Sequence, residues 1–402
     1  MENFSLNQQL NGFPTSTNVV VLSTADFNSP VWTNKQHMAV GLAEAGYNVF
    51  YVESLGLRAP TFTRADISRV LRHALKLIRR RMKKSDARQQ PASQPNNLVL
   101  IAPTVLPFHG LRIVRKINAA LIRRLRRDHL PSDGNYILWT FSPITYGLES
   151  GSKGVVYHSV DLLHTIPGVP TKALRDAESA LMIAADVVVA SSKGVEDHLK
   201  ILDSAKKVLL WENVASTDLF AASMSNSVPR AIFAGNVTPT KVDVHMLRGL
   251  VEAGVPLAIA GPMGIDGSTG DLELKKLVES PGVEYLGNLA LADLAREVGR
   301  SQVGLIPYLR NDYTSGVFPM KVYEYLAAGL EVVSTDIPSL SEKSIEGLHV
   351  VTANHFVETV TRSLATFTEE GARKRSLDAR SNSWDNRIKD ATAILHGFRR
   401  KQ

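Results

Sequence analysis

The stretch 304–335, GLIPYLRNDYTSGVFPMKVYEYLAAGLEVVST, constrains the fold more than any other part of the chain. Its first residues form a short apolar run, typical of a buried parallel strand, and a polar loop follows. Pro319 suits the first turn of a helix, and Gly329 suits the position just after the helix ends. A second apolar run then begins. This order of strand, loop, helix and strand predicts a parallel α/β sheet with the loop at its carboxyl edge.

The loop and helix of this stretch also predict an anion site. Lys321 lies in the first turn of the predicted helix, where backbone N–H groups without helical partners favour negative charge. Glu324 follows three residues later and therefore lies on the same helix face. A cation for phosphate beside a carboxylate for two vicinal hydroxyls suits a nucleotide diphosphate with its ribose. Taken alone, the two residues also fit an ordinary ion pair on a helix surface.

Composition limits the classes of protein to which the chain can belong. At 402 residues it is long enough for two domains with separate cores. Cysteine is absent, which excludes disulfides and thiolate metal sites and fits a reducing compartment. The N-terminal residues lack the apolar core of a signal peptide, and no run reaches the roughly 20 apolar residues of a membrane span. We therefore expect a cytoplasmic protein.

The net charge of +7 is concentrated in two segments. Residues 64–88 hold ten Lys and Arg residues, and residues 112–127 hold seven more without an acid. Helical patterns over 63–84 and 111–129 mix this charge with apolar residues, which is typical of helices that lie in a membrane interface. The residues expected to face an anionic inner-membrane surface are Arg72, Lys76, Arg79, Arg80, Arg81, Lys83, Lys84, Arg123 and Arg124.

The alternative is that these two helices lie on the protein surface in water, with the apolar stripe of each packed on its own domain. The basic segments also raise the question of nucleic-acid binding. Because they lack interleaved aromatic residues, we expect no nucleic-acid partner.

The rest of the chain predicts two successive series of alternating strands and helices. The predicted fold is α/β, with two doubly wound Rossmann-like domains that face each other across a cleft. Segment 219–230, where Ser, Asn and Pro cluster, is the predicted linker. The expected domains are 1–220 and 228–383, followed by a helix at 384–402 that packs back towards the N-terminal domain. Neither G-x-G-x-x-G nor G-x-x-x-x-G-K-[ST] occurs, which argues against a dinucleotide-dependent dehydrogenase and a P-loop NTPase.

At these residues the chain resembles a known family. IPY … FPMKVYEYLAAGLEVVST is similar to the donor-site signature of GT-B glycosyltransferases. VVYHSVDLLH and AADVVVASSKGVEDHL are similar to segments of bacterial exopolysaccharide and lipid-linked-sugar transferases, the group that includes the glucuronosyltransferase of xanthan assembly. The resemblance implies a hexosyltransferase whose C-terminal domain binds a nucleotide sugar, UDP-linked, and whose N-terminal domain binds a lipid-linked saccharide or polysaccharide acceptor. It implies a peripheral position on the cytosolic face of the membrane.

The resemblance also implies roles for residues of the donor site. Glu324 would accept the ribose hydroxyls, and Lys321 would hold the diphosphate. The loop residues expected to help with their backbone are Ser315, Gly316, Val317 and Phe318. The remaining donor-site residues would be Tyr308 and Met320 beside the uracil or the sugar, and Asn236 and Lys241 near the phosphates.

For the chemistry, Asp161 corresponds to the carboxylate that acts as general base in the resembled family, and His158 would assist or orient it. We expect neither a metal nor a cofactor, because no DxD-type motif occurs and Lys321 can neutralise the leaving phosphate. Many retaining GT-B enzymes carry a glutamate where this chain has Gly316. Its absence favours inversion and leaves the stereochemistry open.

Two other functions stay open at this point. A UDP-sugar 2-epimerase shares the architecture but needs neither an acceptor nor a basic membrane helix. A degenerate transferase that acts as an assembly partner would account for the missing glutamate at Gly316. Product analysis with the donor alone separates the first from a transferase, and measurable turnover excludes the second.

Overall fold

The computed structural model describes residues 17–29, 32–58, 94–166, 168–238, 241–262 and 272–399. The basic helix predicted at 63–84 lies outside these residues. So do seven of the nine expected membrane-facing residues, which are Arg72, Lys76, Arg79, Arg80, Arg81, Lys83 and Lys84.

The chain divides into two compact units, each of which is discontinuous in sequence. The first unit comprises Met1–Ser191, Val195–Trp211 and Ile388–Gln402, and the second comprises Ser192–Gly194 and Glu212–Arg387. The main division therefore precedes the predicted linker 219–230.

The segment that follows Trp211 is tied to the second unit by hydrogen bonds. The amide of Asn213 donates to the carbonyl of Phe318 (2.6 Å), and the N–H of Ala215 donates to the carbonyl of Asn382 (3.1 Å). Part of the predicted linker is helical, because Thr217–Ala222 forms a short helix with Phe220 in the core.

The first unit contains a seven-stranded sheet in which all neighbouring strands are parallel, in the order β3-β2-β1-β4-β5-β6-β7. The strands read as near-continuous apolar runs, such as NVVVL in β1, because a parallel sheet is buried on both faces. Its strands are β1 (Asn18–Leu22), β2 (Asn48–Val52), β3 (Leu98–Ile101), β4 (Ile137–Thr140), β5 (Gly154–Ser159), β6 (Val187–Ala190) and β7 (Val208–Leu210). The helices in this part of the chain are α1 (Asn34–Glu44), α2 (Arg112–His129), α3 (Thr171–Ala184) and α4 (Lys193–Leu202).

The second unit contains a six-stranded parallel sheet in the order β10-β9-β8-β11-β12-β13. Its strands are β8 (Ala231–Ala234), β9 (Leu257–Ala260), β10 (Val283–Gly287), β11 (Val303–Ile306), β12 (Glu331–Thr335) and β13 (Leu348–Val351). The helices are α5 (Thr217–Ala222), α6 (Val244–Glu252), α7 (Leu272–Val278), α8 (Leu291–Gly299), α9 (Asp312–Ser315), α10 (Lys321–Ala327), α11 (Pro338–Ser341), α12 (Ala353–Ala365) and α13 (Glu369–Ala379).

The strand order of the second sheet determines where a ligand binds. The order of strands reverses between β8 and β11, which are neighbours in the sheet but not in the chain. In doubly wound folds, ligands bind outside the carboxyl ends of the strands at this switch point. The predicted α/β fold with two Rossmann-like domains is confirmed, and its second domain has a defined place for a ligand.

The last helix, α14 (Trp384–Arg399), packs on the first unit from Ile388 onward. The Ile388 side chain lies 2.5 Å from the position of a Cβ at Gly41 of α1. The ring of Phe398 covers Gly154 at the start of β5 just as closely. Both glycines are therefore required for α14 to approach this unit, since any side chain there would displace it.

The amphipathic helix α2 buries part of its apolar stripe and exposes the rest. Asn118 and Ile122 are buried, whereas Ile113 and Ile117, which belong to the apolar stripe, are 75% and 42% exposed. The orientation follows from Asn118, whose amide accepts from the N–H of Leu106 (2.8 Å) and donates to its carbonyl (2.9 Å). Among the helices with described residues, none is long and apolar enough to cross a membrane.

Candidate active site

Two glycines form a close-packed cradle at the carboxyl edge of the second sheet. Gly235 follows β8 and Gly261 follows β9, with φ angles of +150° and +129°. A Cβ at Gly261 would overlap the carbonyl oxygen of Gly235, and the N–H of Gly235 donates to the carbonyl of Ala260 (2.8 Å). Glycine is needed here for the backbone conformation and for the close approach of the two segments.

Lys321 extends from α10 over this cradle. Its Cε lies 2.6 Å and its Nζ 3.1 Å from the position that a Cβ at Gly235 would take, so the lysine occupies the space of the missing side chain. Asn236 is the next residue along the chain. Its Oδ1 is buried, and no hydrogen-bond partner for it exists within the described ranges. A buried amide oxygen without a partner calls for a donor, and a bound ligand can supply one.

Glu324 lies one helical turn after Lys321. Burial raises the pKa of Glu324, and the positive charge of Lys321 opposes part of this rise. A carboxylate removed from water gains from hydrogen-bond donors that a ligand brings, because such bonds replace the lost hydration. The predicted pair of Lys321 and Glu324 is thus on one short helix at the predicted edge of the sheet.

Tyr308 lies beneath these charged residues rather than beside a ligand. Its side chain is buried, with 3% exposed, and burial raises the pKa of Tyr308. The ammonium of Lys241 lies 4.5 Å from the centre of the Tyr308 ring, a cation–π distance. Little ring surface is left for the uracil or the sugar that Tyr308 was expected to flank. Its contact with Lys241 instead links two of the predicted donor-site residues.

The loop before α10 is held by side chains that bind its carbonyl groups. The hydroxyl of Ser339 donates to the carbonyl of Val317 (2.6 Å), and the amide of Asn213 donates to the carbonyl of Phe318 (2.6 Å). The N–H of Phe318 points opposite to the engaged carbonyl of Val317, since the peptide is trans. Within the ranges that the structure describes, this N–H has no acceptor.

The side chains of this loop belong to the core, so only its backbone is available to a ligand. Val317 and Phe318 are buried, and the Phe318 ring stacks on Tyr323 at 5.8 Å between centroids. Ser315 closes the short helix α9, and Met320 precedes α10 in a half-buried position. Helix α10 has seven residues, so Lys321 and the free backbone N–H are better anion ligands here than the dipole of so short a helix.

In the first unit, Asp161 follows β5 at the carboxyl edge of the sheet. Its carboxylate lies 3.8 Å from Nζ of Lys35, with the Asp161 side chain 30% exposed and that of Lys35 8% exposed. Burial lowers the pKa of Lys35, and the negative charge of Asp161 opposes this change. Asp161 is therefore an accessible carboxylate with a buried cation at its side. Sequence reasoning missed Lys35, although its place in the first turn of α1, after the first βα loop, was a usable signal.

His158 lies within the core of the first unit and not at the open edge of the sheet. It is 2% exposed, and rings surround it: Phe141 at 4.9 Å, Trp211 at 6.0 Å and Trp139 at 6.1 Å between centroids. An imidazole enclosed by three aromatic rings has almost no surface for a substrate. The expected role of His158 in assisting or orienting Asp161 gains no support from this position, since all six residues of β5 are buried.

Comparison with known proteins finds a family match within the second half of the chain. Residues 229–366 match the family described as glycosyl transferases group 1. This segment of the chain is therefore similar to group 1 glycosyl transferase domains. TuaH of Bacillus subtilis (strain 168), named for a role as a teichuronic acid biosynthesis glycosyltransferase, is 28% identical over 185 residues. This match covers 42% of the chain and 45% of TuaH, so the chain spans less than half the length of this curated relative.

Solved structures similar to the chain share its fold at low sequence identity. Sucrose-phosphate synthase from Thermosynechococcus elongatus has a TM-score of 0.70 at 15% identity, covering 96% of this chain and 100% of that one. An E. coli trehalose-6-phosphate structure bound with UDP-2-fluoro glucose has a TM-score of 0.63 at 12% identity, covering 94% and 99%. The GT-B fold that the sequence indicates is confirmed, and residues 229–366 match the glycosyltransferase family that the sequence indicates.

The group 1 domain contains every predicted donor-site residue. Asn236, Tyr308 and Glu324 all lie between residues 229 and 366, as does the glycine cradle. Asp161 and Lys35 lie outside the matched segment. The residues expected to bind the donor and those expected to act on the acceptor thus lie in separate parts of the sequence.

Proposed function

We propose that this group 1 transferase moves a sugar from a UDP-linked nucleotide sugar to a lipid-linked saccharide or polysaccharide acceptor at the cytosolic face of a membrane. The observation that carries the proposal is the position of Lys321 over the cradle of Gly235 and Gly261, with Glu324 one turn away. A phosphate-binding cation, uncovered backbone and a partly desolvated carboxylate at one sheet edge fit a nucleoside diphosphate better than any other common ligand.

Each group in this site has a matching part in the donor. Lys321 and the N–H of Phe318 bind the diphosphate, which carries the negative charge. Glu324 accepts hydrogen bonds from the two ribose hydroxyls, and the buried Oδ1 of Asn236 accepts from a further hydroxyl. UDP is the proposed nucleotide because a protein of similar fold was solved with a UDP-sugar analogue.

The reaction follows from two charged groups. Asp161 takes the proton of the acceptor hydroxyl as that oxygen forms a bond to the anomeric carbon. The bond from this carbon to the diphosphate oxygen breaks, and Lys321 stabilises the negative charge that develops on the leaving phosphate. This role makes a donor-site metal unnecessary. Gly316, in the place of a second glutamate, favours inversion at the anomeric carbon.

Membrane attachment is the proposed role of the outer face of α2. Ile113 and Ile117 are exposed near the start of the helix, and Arg123 and Arg124 are exposed nearer its end. Exposed apolar side chains enter the headgroup region while basic side chains bind anionic lipid. A lipid-linked acceptor would then be presented at the same surface.

The donor proposal is tested by binding of UDP, UMP, ADP and GDP, measured by calorimetry and by thermal shift. We expect UDP to bind best, and Lys321→Ala and Glu324→Ala to weaken UDP binding at least tenfold. The exposed ion pair of Lys374 and Glu346 (2.6 Å) offers matched controls, since Lys374→Ala and Glu346→Ala remove the same charges elsewhere in the unit. Equal UDP binding by all four variants would contradict the proposal.

The reaction class is tested by product analysis. Incubation with a UDP-sugar alone should yield at most slow hydrolysis, and transfer should require an added acceptor. Conversion of the donor to its C2 epimer without an acceptor would identify a UDP-sugar 2-epimerase instead. Absence of any turnover with donors that bind would favour a non-catalytic assembly partner.

A further inference from the structure

Three side chains with metal-binding atoms converge in the first unit, outside the proposed donor site. His164 lies in a short turn (Leu163–Thr165) after β5, Glu178 lies in α3, and His198 lies in α4. One ligand atom from each residue lies within 4.8 Å of the other two. The residues come from three separate elements, so the fold and not local sequence brings them together.

The carboxylate of Glu178 is fixed on both of its oxygens. Its Oε1 accepts from the hydroxyl of Tyr157 (2.5 Å), and its Oε2 lies 2.8 Å from Nε2 of His198. Glu178 and Tyr157 are buried, and the side chain of His198 is 15% exposed. A buried carboxylate oriented by a hydroxyl behind it is the arrangement that supports metal ligands in proteins.

His164 is the third residue of the cluster. The contact between His198 and Glu178 does not by itself require a histidine at position 164. The His164 ring stacks on that of His198, with centroids 4.4 Å apart and planes at 30°. The three residues together offer two imidazole nitrogens and one carboxylate oxygen at close range, and metal ligation requires neutral imidazole and an ionised carboxylate.

We propose that His164, Glu178 and His198 bind one divalent transition-metal ion, with Zn²⁺ as the best fit. Two imidazole nitrogens and one carboxylate oxygen are a common zinc set, with water as the fourth ligand. Zinc bonds of 2.0–2.2 Å in a tetrahedron place ligand atoms about 3.4 Å apart. The three ligand atoms lie within 4.8 Å of one another, so metal binding requires side-chain rotations that bring them to this spacing.

A bound ion would restrain the segment that carries Asp161. His164 is three residues after Asp161, and the N–H of Leu163 donates to the carbonyl of Asp161 (2.9 Å). A metal bound to His164 joins this segment to α3 and α4 at the same time. The ion is structural and takes no part in phosphate binding, so the site stands whether or not the proposed transfer reaction is correct.

The site is tested on untagged, full-length protein after treatment with EDTA. Zn²⁺ is titrated against a competing chelator, and Co²⁺ is added separately to record its absorption spectrum. We expect one ion per chain, the visible bands of tetrahedral Co²⁺, and slower hydrogen exchange over residues 160–166 when Zn²⁺ is bound. His164→Ala and His198→Ala should each weaken binding at least tenfold, and Tyr157→Phe should weaken it by roughly 10–100-fold.

The matched control is a second His–Glu pair that lacks a second imidazole. His349 Nε2 lies 2.7 Å from Oε2 of Glu331, and Arg375 binds the other carboxylate oxygen (2.5 Å). His349→Ala should leave metal binding unchanged. If a buried variant fails to fold, His164→Ala carries the test, since His164 is half-buried. Absence of stoichiometric binding by the wild type, or equal binding by His164→Ala, overturns the proposal.

Discussion

Lys35 and Asp161 show how a single buried cation can define the chemistry of an exposed carboxylate. The ammonium has lost most of its water, yet it lies 3.8 Å from a carboxylate that solvent still reaches. Burial lowers the pKa of Lys35, and Asp161 counteracts that effect. An isolated buried charge is strongly unfavourable, so the buried ammonium of Lys35 gains from the carboxylate beside it.

Replacing Lys35 should therefore impair catalysis without affecting donor binding. We expect Lys35→Met, which preserves the length of the side chain, to lower kcat by about tenfold or more, whereas Asp161→Asn should cost about 10²–10⁴-fold. Lys35→Arg should recover part of the loss. Steady-state kinetics give kcat, and calorimetry with UDP should show unchanged affinity in all three variants. A defect in UDP binding equal to the loss in kcat would contradict this assignment.

Gly235 is the second residue whose replacement has a clear expected result. An alanine methyl group there would lie 2.6 Å from Cε of Lys321 and force the lysine away from the cradle. We expect Gly235→Ala to weaken UDP binding at least tenfold, measured by calorimetry. Gly254→Ala is the control, because Gly254 also has a positive φ of +74° but has no atom within 4 Å of the added methyl group. Similar losses in both variants would point to backbone strain alone.

Helix α2 is the element on which the membrane proposal depends. Its inner face is set by Asn118 and Ile122, and its exposed residues include both apolar and basic side chains. An amphipathic helix that lies in the membrane interface does not insert deeply. Both its apolar and its charged side chains therefore contribute to membrane binding.

Substitutions on this face should weaken binding to vesicles in proportion to their anionic lipid content. Arg123→Glu with Arg124→Glu removes two positive charges and adds two negative ones. Each basic residue near an anionic surface is worth about 1 kcal/mol, so we expect at least about a tenfold loss in flotation assays. Ile113→Ser with Ile117→Ser should weaken binding to neutral vesicles as well. Arg373→Glu with Leu377→Ser alters exposed residues of α13 and should have no effect. Vesicle binding that survives both α2 double variants would rule out this surface.

At the same scale, strands and the donor helix could be predicted from sequence because their signals are local. The run NVVVL predicts β1, and the spacing of Lys321 and Glu324 places both on one helix face. Gly261 and Lys35 were not predicted, since their roles arise from contacts between distant segments. The side of the sheet on which His158 lies could not be predicted either. A strand that is buried on both faces does not alternate between apolar and polar residues, so its sequence does not indicate which face a residue is on.

For the molecule as a whole, buried histidines make stability depend on pH. Burial lowers the pKa of His37 to about 4, and its ring packs edge-on against Trp32 at 5.4 Å. The pKa of His109 is lowered for the same reason. Between the unfolded pKa of about 6.5 and the lower folded value, the unfolded chain binds more protons than the folded chain.

The stability contributed by His37 should therefore be complete above about pH 6.5 and should fall as the pH drops towards 4. Urea unfolding at several pH values measures this change as a shift of the midpoint. His37→Gln should reduce the slope of stability against pH in that window, and the same substitution at the exposed His355 serves as control. An unaltered slope in His37→Gln would contradict the expected linkage.

The discontinuous first unit has a consequence for synthesis on the ribosome. Ile388 and Phe398, which cover Gly41 and Gly154, are translated after all of the residues from Glu212 to Arg387. The second unit can complete its sheet while the first still lacks the helix that seals it. The nascent chain thus carries an uncovered apolar surface for most of its synthesis, when chaperones have access to it. A ribosome that stalls before Ile388 would release a protein whose second unit is complete and whose first unit lacks the part of α14 that covers it.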